Sequence, residues 1–251
     1  MYQQIYTFGG VRFAILSEHP LVILPKFEAF RAEDNSPCDY TLKVVCSENS
    51  EASRVTADRH ENTFTVYVPE QYLDSIGLRS IFNGVNAANL FLEHDGFVLH
   101  ASYILWNGSA ILFTAPSGTG KSTQAEFWKN ERGAEIINGD RVLITRRNGS
   151  FFANGVFVSG TSGICRNETA PIKQIVYLEQ GEENELVTLP PHQLFLRLLC
   201  QCTFDTKSET QYERITALVS ELINTVPVCC YRCRYHPDSV AVLERLLWNK
   251  K

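Results

Sequence analysis

The sequence predicts an α/β (α+β) fold in which a β-rich N-terminal portion precedes a core of mixed strands and helices. Three observations carry this. Residues 110–129 read as strand, Gly-rich loop and helix in immediate succession; the apolar spacing switches from short strands to a helical period near residue 73; and strands and helices mix from there to the end.

Residues 1–75 read as short strands over 5–16 with a Gly9-Gly10 turn, then 21–24, 40–46, 53–58 and 63–68. Turn-forming clusters separate them, such as Asp34-Asn35-Ser36-Pro37 and His60-Glu61-Asn62. Leu78, Ile81, Phe82, Val85, Ala88 and Leu92 then recur at helical spacing, which predicts one amphipathic helix over 73–94 ended by Asp95-Gly96. The domain boundary is placed where the period changes, with a β-rich portion over 1–75 and a core over 76–251.

Within the core, strands are expected over 97–106 and 110–114, joined by an Asn107-Gly108 hairpin turn. A helix over 122–129 follows, then strands over 135–138 and 141–145 flanking Gly139-Asp140, and a second hairpin signal at Asn148-Gly149. Further on come a strand over 171–178, helices over 191–200 and 212–224, a strand over 228–235 and a last helix capped by Asp238 or Ser239.

The segment Ala115-Pro116-Ser117-Gly118-Thr119-Gly120-Lys121-Ser122-Thr123 has the composition of a phosphate-binding loop of the Walker A kind. Gly118 and Gly120 let backbone N–H groups turn toward an anion, and the following helix points its positive end at the same place. Ser117, Thr119 and Thr123 complete the cradle, Lys121 adds a mobile charge for the outer phosphates, and the Ser122 hydroxyl is placed to ligand magnesium. ATP is the expected nucleotide and Mg²⁺ the expected metal. The consensus first Gly is Ala115 here, tolerable where its φ is negative.

Composition excludes other classes. With 44% hydrophobic and 20% charged residues the chain is globular rather than disordered, and a net charge of −5 argues against a nucleic-acid surface. No apolar run approaches the ~20 residues of a membrane span, and Met1-Tyr2-Gln3-Gln4 lacks the start of a signal peptide, so a cytoplasmic location is expected. The eight cysteines sit among apolar residues and read as reduced and structural. The alternative is a zinc site from Cys200, Cys202, Cys229, Cys230 and Cys233, whose spacing is poor for tetrahedral ligation.

Two further positions bear on chemistry. Asp140 ends an apolar strand shortly after the loop helix, where a carboxylate handles magnesium or takes the proton of an attacking hydroxyl; its bland counterpart is a turn-forming Gly-Asp. His100 interrupts an apolar strand and needs polar partners, whether phosphate oxygens, a carboxylate or a satisfied core.

Read together, Leu99-His100-Ala101-Ser102, then Phe113 through Thr123, then Asn138-Gly139-Asp140-Arg141-Val142, resemble the order and spacing of the HPr kinase/phosphorylase superfamily and its smaller relatives such as lasso peptide kinases. The resemblance covers residues 90–180 and extends weakly to the end through Ile172 to Glu179. It implies a phosphoenolpyruvate-carboxykinase-like core with a mixed sheet, and ATP with a divalent ion phosphorylating a hydroxyl, usually serine. By position His100 matches the family's active-site histidine, Lys121 and Ser122 its phosphate and magnesium ligands, and Asp140 the second of its paired aspartates. Gly139 stands where the first is expected, Thr123 where the bifunctional enzymes carry Glu, and Val158-Ser159-Gly160-Thr161-Ser162 where a Glu-x-Arg-Gly signature would lie.

The expected activity is therefore an ATP-dependent phosphotransferase acting on a hydroxyl of a protein, peptide or small molecule, with Arg166 after the Ser159–Gly163 loop as the arginine that neutralises transferring charge. The alternative is a nucleotide-binding regulator or scaffold that kept the loop and lost turnover. A zinc-stabilised interaction module rests on the cysteines alone. A homo-oligomer is compatible with the sequence.

Overall fold

In the computed structural model of the chain, which describes residues 1–34, 36–47, 53–158 and 160–248, the Gly9-Gly10 turn folds β1 (Tyr2–Phe8) and β2 (Val11–Ser17) into a hairpin. Both glycines take left-handed φ values of 57° and 94°, which a side chain would strain. The chain divides into two compact units, Met1–Phe91 and Leu92–Lys251.

In the first unit, β3 (Tyr40–Cys46), β4 (Thr56–His60) and β5 (Thr63–Val68) complete a five-stranded sheet in the order β1-β2-β3-β5-β4. Its centre is parallel and its edges antiparallel. Where a strand was expected over 21–24, only Val22 bridges Gly77, and Pro25 starts the short helix α1 (Pro25–Glu28). The single helix expected over 73–94 is two, α2 (Leu78–Gly84) and α3 (Ala87–Leu92). Asn86 between them has φ 51°, a left-handed residue that no α-helix continues through. The apolar spacing persists across the break, so periodicity alone could not see it. Phe82 and Phe91 pack on Phe8 and Phe13 with ring centroids 5.2–6.5 Å apart. The expected boundary at 75/76 precedes these two helices, and the division at Phe91/Leu92 falls inside α3, before its last residue.

The second unit contains β6 (Gly96–Trp106), β7 (Ser109–Thr114), α4 (Lys121–Arg132), β8 (Glu135–Asn138), β9 (Arg141–Arg147), β10 (Ser150–Asn154), β11 (Thr169–Gln180), β12 (Glu185–Val187), α5 (Pro191–Leu199), β13 (Cys202–Thr203), α6 (Glu209–Thr225), β14 (Val228–Cys233) and α7 (Asp238–Trp248). The sheet runs β10-β9-β6-β7-β11-β14-β12, and β8 and β13 also pair with β6. β7, β11 and β14 are mutually parallel, while β6 and β9 are antiparallel to their neighbours, so the unit is mixed α/β. Asn107-Gly108 and Asn148-Gly149 close two hairpins with φ between 50° and 74° at all four residues.

Both faces of the central strands are covered, which is why they read as unbroken apolar runs rather than alternating ones. In β7, Ala110 and Leu112 face a core with α5 and α6 (Leu198, Ile215, Val219), while Ile111 and Phe113 face a second core with α4 and α7 (Trp128, Val240, Leu243). Asp238 is the first residue of α7 rather than its cap, and Ser239 is buried, its hydroxyl receiving Gln124 Nε2 at 2.9 Å.

All eight cysteines are free thiols. Burial pushes Cys229 up to about 12 and Cys230 to about 11, and raises Cys202 and Cys233 as well, which keeps these sulfurs protonated and weakly reactive. Among the described residues, no helix is long and apolar enough to cross a membrane.

Candidate active site

The site is built where β7 ends. Thr114, fully buried, donates its hydroxyl to His100 O at 2.9 Å and so ties the end of β7 to β6. Ala115 follows, with no exposed surface and outside the left-handed region, so the missing first glycine costs no strain here. The loop then turns on Gly118 and Gly120, whose φ values of 81° and 114° belong to glycine. A Cβ on either would meet nothing within 4 Å, so conformation rather than crowding demands glycine at both.

Thr119 closes the loop by donating Oγ1 to Pro116 O at 3.0 Å, and Gln180 at the end of β11 donates to Gly118 O at 3.3 Å. Gly120 is the N-terminal cap of α4, so the first-turn N–H groups of Lys121, Ser122 and Thr123 point back into the loop without an acidic side chain to consume their field. Ser117 and Gly118 are exposed. Lys121 is 7% exposed and donates Nζ to Ala115 O at 2.9 Å and Pro116 O at 3.1 Å, two of its three donors. Burial lowers its pKa, and the charge of Asp140 pulls it back up.

The second half of the site comes from the junction of β8 and β9, which pair in turn with the same edge of β6. Between them Gly139 O accepts from Ser102 Oγ at 3.0 Å and from Ser122 Oγ at 3.3 Å, so this carbonyl joins the loop helix to the junction. Asp140 lies one residue on, its Oδ1 3.4 Å from His100 Nε2 and its Oδ2 3.3 Å from Arg141 Nε. The His100 imidazole beside it holds the Asp140 carboxyl below the ordinary carboxylate value, against the opposing effect of burial. Asp140 is therefore a fixed negative charge at neutral pH. Arg141 also donates Nη1 to Thr203 Oγ1 at 2.7 Å.

The structure thus brings His100, Lys121, Ser122 and Asp140 around one corner of the sheet. Arg166 is not among them. Its Nη1 pairs with Glu135 Oε2 at 2.8 Å, both side chains more than half exposed, and Glu135 opens β8 whereas Asp140 follows its other end. The arginine at Asp140 is Arg141. Of the loop before Arg166, Ser159 lies outside the described residues. Gly160 packs on Asp140 so closely that a Cβ there would fall 2.7 Å from Asp140 Cβ. Ser162 crowds Gly139 in the same way, its Cβ 2.9 Å from where a Cβ on Gly139 would stand.

Asn138 is the residue that sequence reasoning passed over. Fully buried, it accepts on Oδ1 from the N–H groups of Asp140 at 2.9 Å and Arg141 at 3.0 Å, and donates Nδ2 to Val156 O at 3.0 Å and Val158 O at 2.8 Å. One amide therefore shapes the turn that aims Asp140 and anchors the segment leading to Gly160. Its signal in the sequence is an Asn two residues before the turn residue it supports, the pattern of an Asx turn. Asn138→Ala is expected to destabilise the protein by about 3 kcal/mol, because each buried partner left unpaired costs about 1–3 kcal/mol. A denaturation midpoint shifted by less than about 1 kcal/mol would mean that these groups find other partners.

No protein-family model matches the chain, and no curated protein matches it. Among solved structures, the chain is similar to the Hpr(Ser) kinase/phosphatase from Coxiella burnetii at 14% identity and a TM-score of 0.35, over 61% of this chain and 94% of that one.

Proposed function

We propose that the second unit is a nucleotide-binding core of the phosphoenolpyruvate-carboxykinase-like kind that binds ATP with Mg²⁺ and transfers the γ-phosphoryl group to a hydroxyl, serine being the first candidate. The observation that carries the reading is the conjunction of a buried lysine behind two left-handed glycines at a helix N-terminus with a His–Asp pair one residue from the Ser122-bound Gly139 carbonyl.

The residues present fit a metal–nucleotide pair. Ser122 offers an exposed hydroxyl and Asp140 a carboxylate kept ionised, and these two would hold magnesium, which when bound neutralises charge on the transferring group. Lys121 supplies positive charge to the outer phosphates once its bonds to the loop carbonyls are exchanged for theirs. With its depressed pKa, Asp140 is a poor proton acceptor and a good electrostatic anchor. It orients His100, which takes the proton of the acceptor hydroxyl. Because phosphoryl transfer is limited by positioning and charge, one carboxylate suffices.

Arg141, held against Asp140, is the nearer cation for transferring charge. Arg141→Ala is expected to lower turnover about tenfold or more, and Arg166→Ala to change it by less than about twofold. Equal losses in the two variants would restore Arg166 to the site.

A specific observation favours the second reading, a nucleotide-binding regulator without turnover. Gly139 stands where the resembled family has its first aspartate, and the packing of Ser162 leaves no room for a carboxylate there. The two readings part in one experiment. Labelled γ-phosphate from ATP and Mg²⁺ is expected to appear on serine of protein or peptide acceptors; nucleotide bound tightly with no transfer to any hydroxyl would establish the regulator.

A further inference from the structure

The phosphate loop has two sides, and the proposed chemistry uses only one. On that side Ser122 meets Gly139, beside His100 and Asp140. On the other, where the parallel strands β11 and β14 end, a cavity of about 400 Å³ opens directly against Gly118, Gly120 and Thr123. That volume is within the range of about 300–1,000 Å³ typical of small-ligand sites. Crevices at the carboxyl ends of parallel strands are where such sheets take ligands.

We infer that this cavity is the seat of the nucleoside base, with Tyr235 as its stacking platform. This rests on the nucleotide-binding reading above and deepens it. A nucleoside triphosphate whose terminal phosphate lies toward His100 and Asp140 must send its base out of the loop on the opposite side, where the cavity lies. The cavity wall carries two aromatic rings, Phe127 of α4 and Tyr235 just after β14, with centroids 5.6 Å apart and planes at 61°. Tyr235 is 83% exposed, an unusual position for an aromatic ring with nothing on its outer face and an ordinary one for a ring that a flat ligand covers.

The wall behind the rings is tied together by Gln124, 3% exposed, whose Nε2 reaches Ser239 Oγ at 2.9 Å and Cys233 Sγ at 3.3 Å and so links α4 to α7 and to the end of β14. The inference is thus a base site made by Tyr235 and Phe127, continuous with the phosphate loop and separate from the His100–Asp140 pair.

The test measures ATP and inorganic tripolyphosphate binding by calorimetry in the parent protein, Tyr235→Ala and Tyr235→Trp. The parent is expected to bind ATP more tightly than tripolyphosphate. Tyr235→Ala should lose about tenfold in ATP affinity, the scale of one base–aromatic stack, with tripolyphosphate affinity unchanged, and Tyr235→Trp should keep the parent's preference. Because the ring is exposed, neither change disturbs the core. Unchanged ATP affinity in Tyr235→Ala, or equal parent affinity for the two ligands, overturns the base site while leaving the phosphate loop standing. A parent that binds neither ligand overturns the nucleotide-binding reading itself, and the base site with it.

Discussion

Lys121→Ala is expected to weaken ATP binding about 10- to 150-fold, the equivalent of about 1.5–3 kcal/mol for one charge-assisted contact. The lysine is held at the loop mouth, its ammonium on Ala115 O and Pro116 O and its stem buried in the first turn of α4. A charge kept in a half-desolvated place is worth more to an incoming phosphate than one waving in solvent. Lys121→Met, which keeps the stem and drops the charge, should lose a similar factor, showing that charge rather than packing is responsible. Calorimetry gives both numbers. ATP affinity equal to the parent's in the two variants would remove the phosphate-loop assignment.

Asp140→Asn is expected to reduce turnover at least ~100-fold while leaving the fold and most nucleotide affinity intact, the usual scale for a positioned metal or acid–base group. The substitution changes little volume, and the backbone N–H of residue 140 keeps its bond to Asn138 Oδ1. What disappears is the negative charge facing His100 and Arg141. If His100 takes the acceptor's proton with Asp140 behind it, kcat should fall with KM for ATP nearly unchanged, because the charge matters most in the transition state. A variant with parental kcat would return Asp140 to the role of a turn residue. One that lost ATP affinity and kcat in equal proportion would make it a ground-state ligand of the metal–nucleotide pair.

Much of the fold was legible because local signals agreed with the tertiary outcome. The Gly9-Gly10, Asn107-Gly108 and Asn148-Gly149 turns encode left-handed backbone, and the strands beside them fall where turn chemistry and apolar runs put them. The loop and α4 were legible for the same reason, since Gly118 and Gly120 are required by conformation alone. Where the reading failed, a local signal was silent or ambiguous. The apolar period through α2 and α3 does not register the left-handed Asn86 that parts them. Leu21 to Leu24 is apolar enough for a strand but ends in Pro25, and only Val22 finds a partner.

By itself the sequence determined the loop, its lysine, the hairpin turns and the apolar strands, all features fixed by residues within a few positions of one another. Only the tertiary structure decided which distant side chains share the corner of the sheet. The fixed edge of β6 puts His100 on Asp140, 40 positions away in the chain, because β8 and β9 both pair with that edge and Asn138 shapes the junction between them. The same packing turns Arg166 to Glu135 and leaves Arg141 at Asp140. It also explains Gly139: Ser162 occupies the space that any side chain there would need, a constraint set by a loop more than twenty residues downstream and invisible to any local reading.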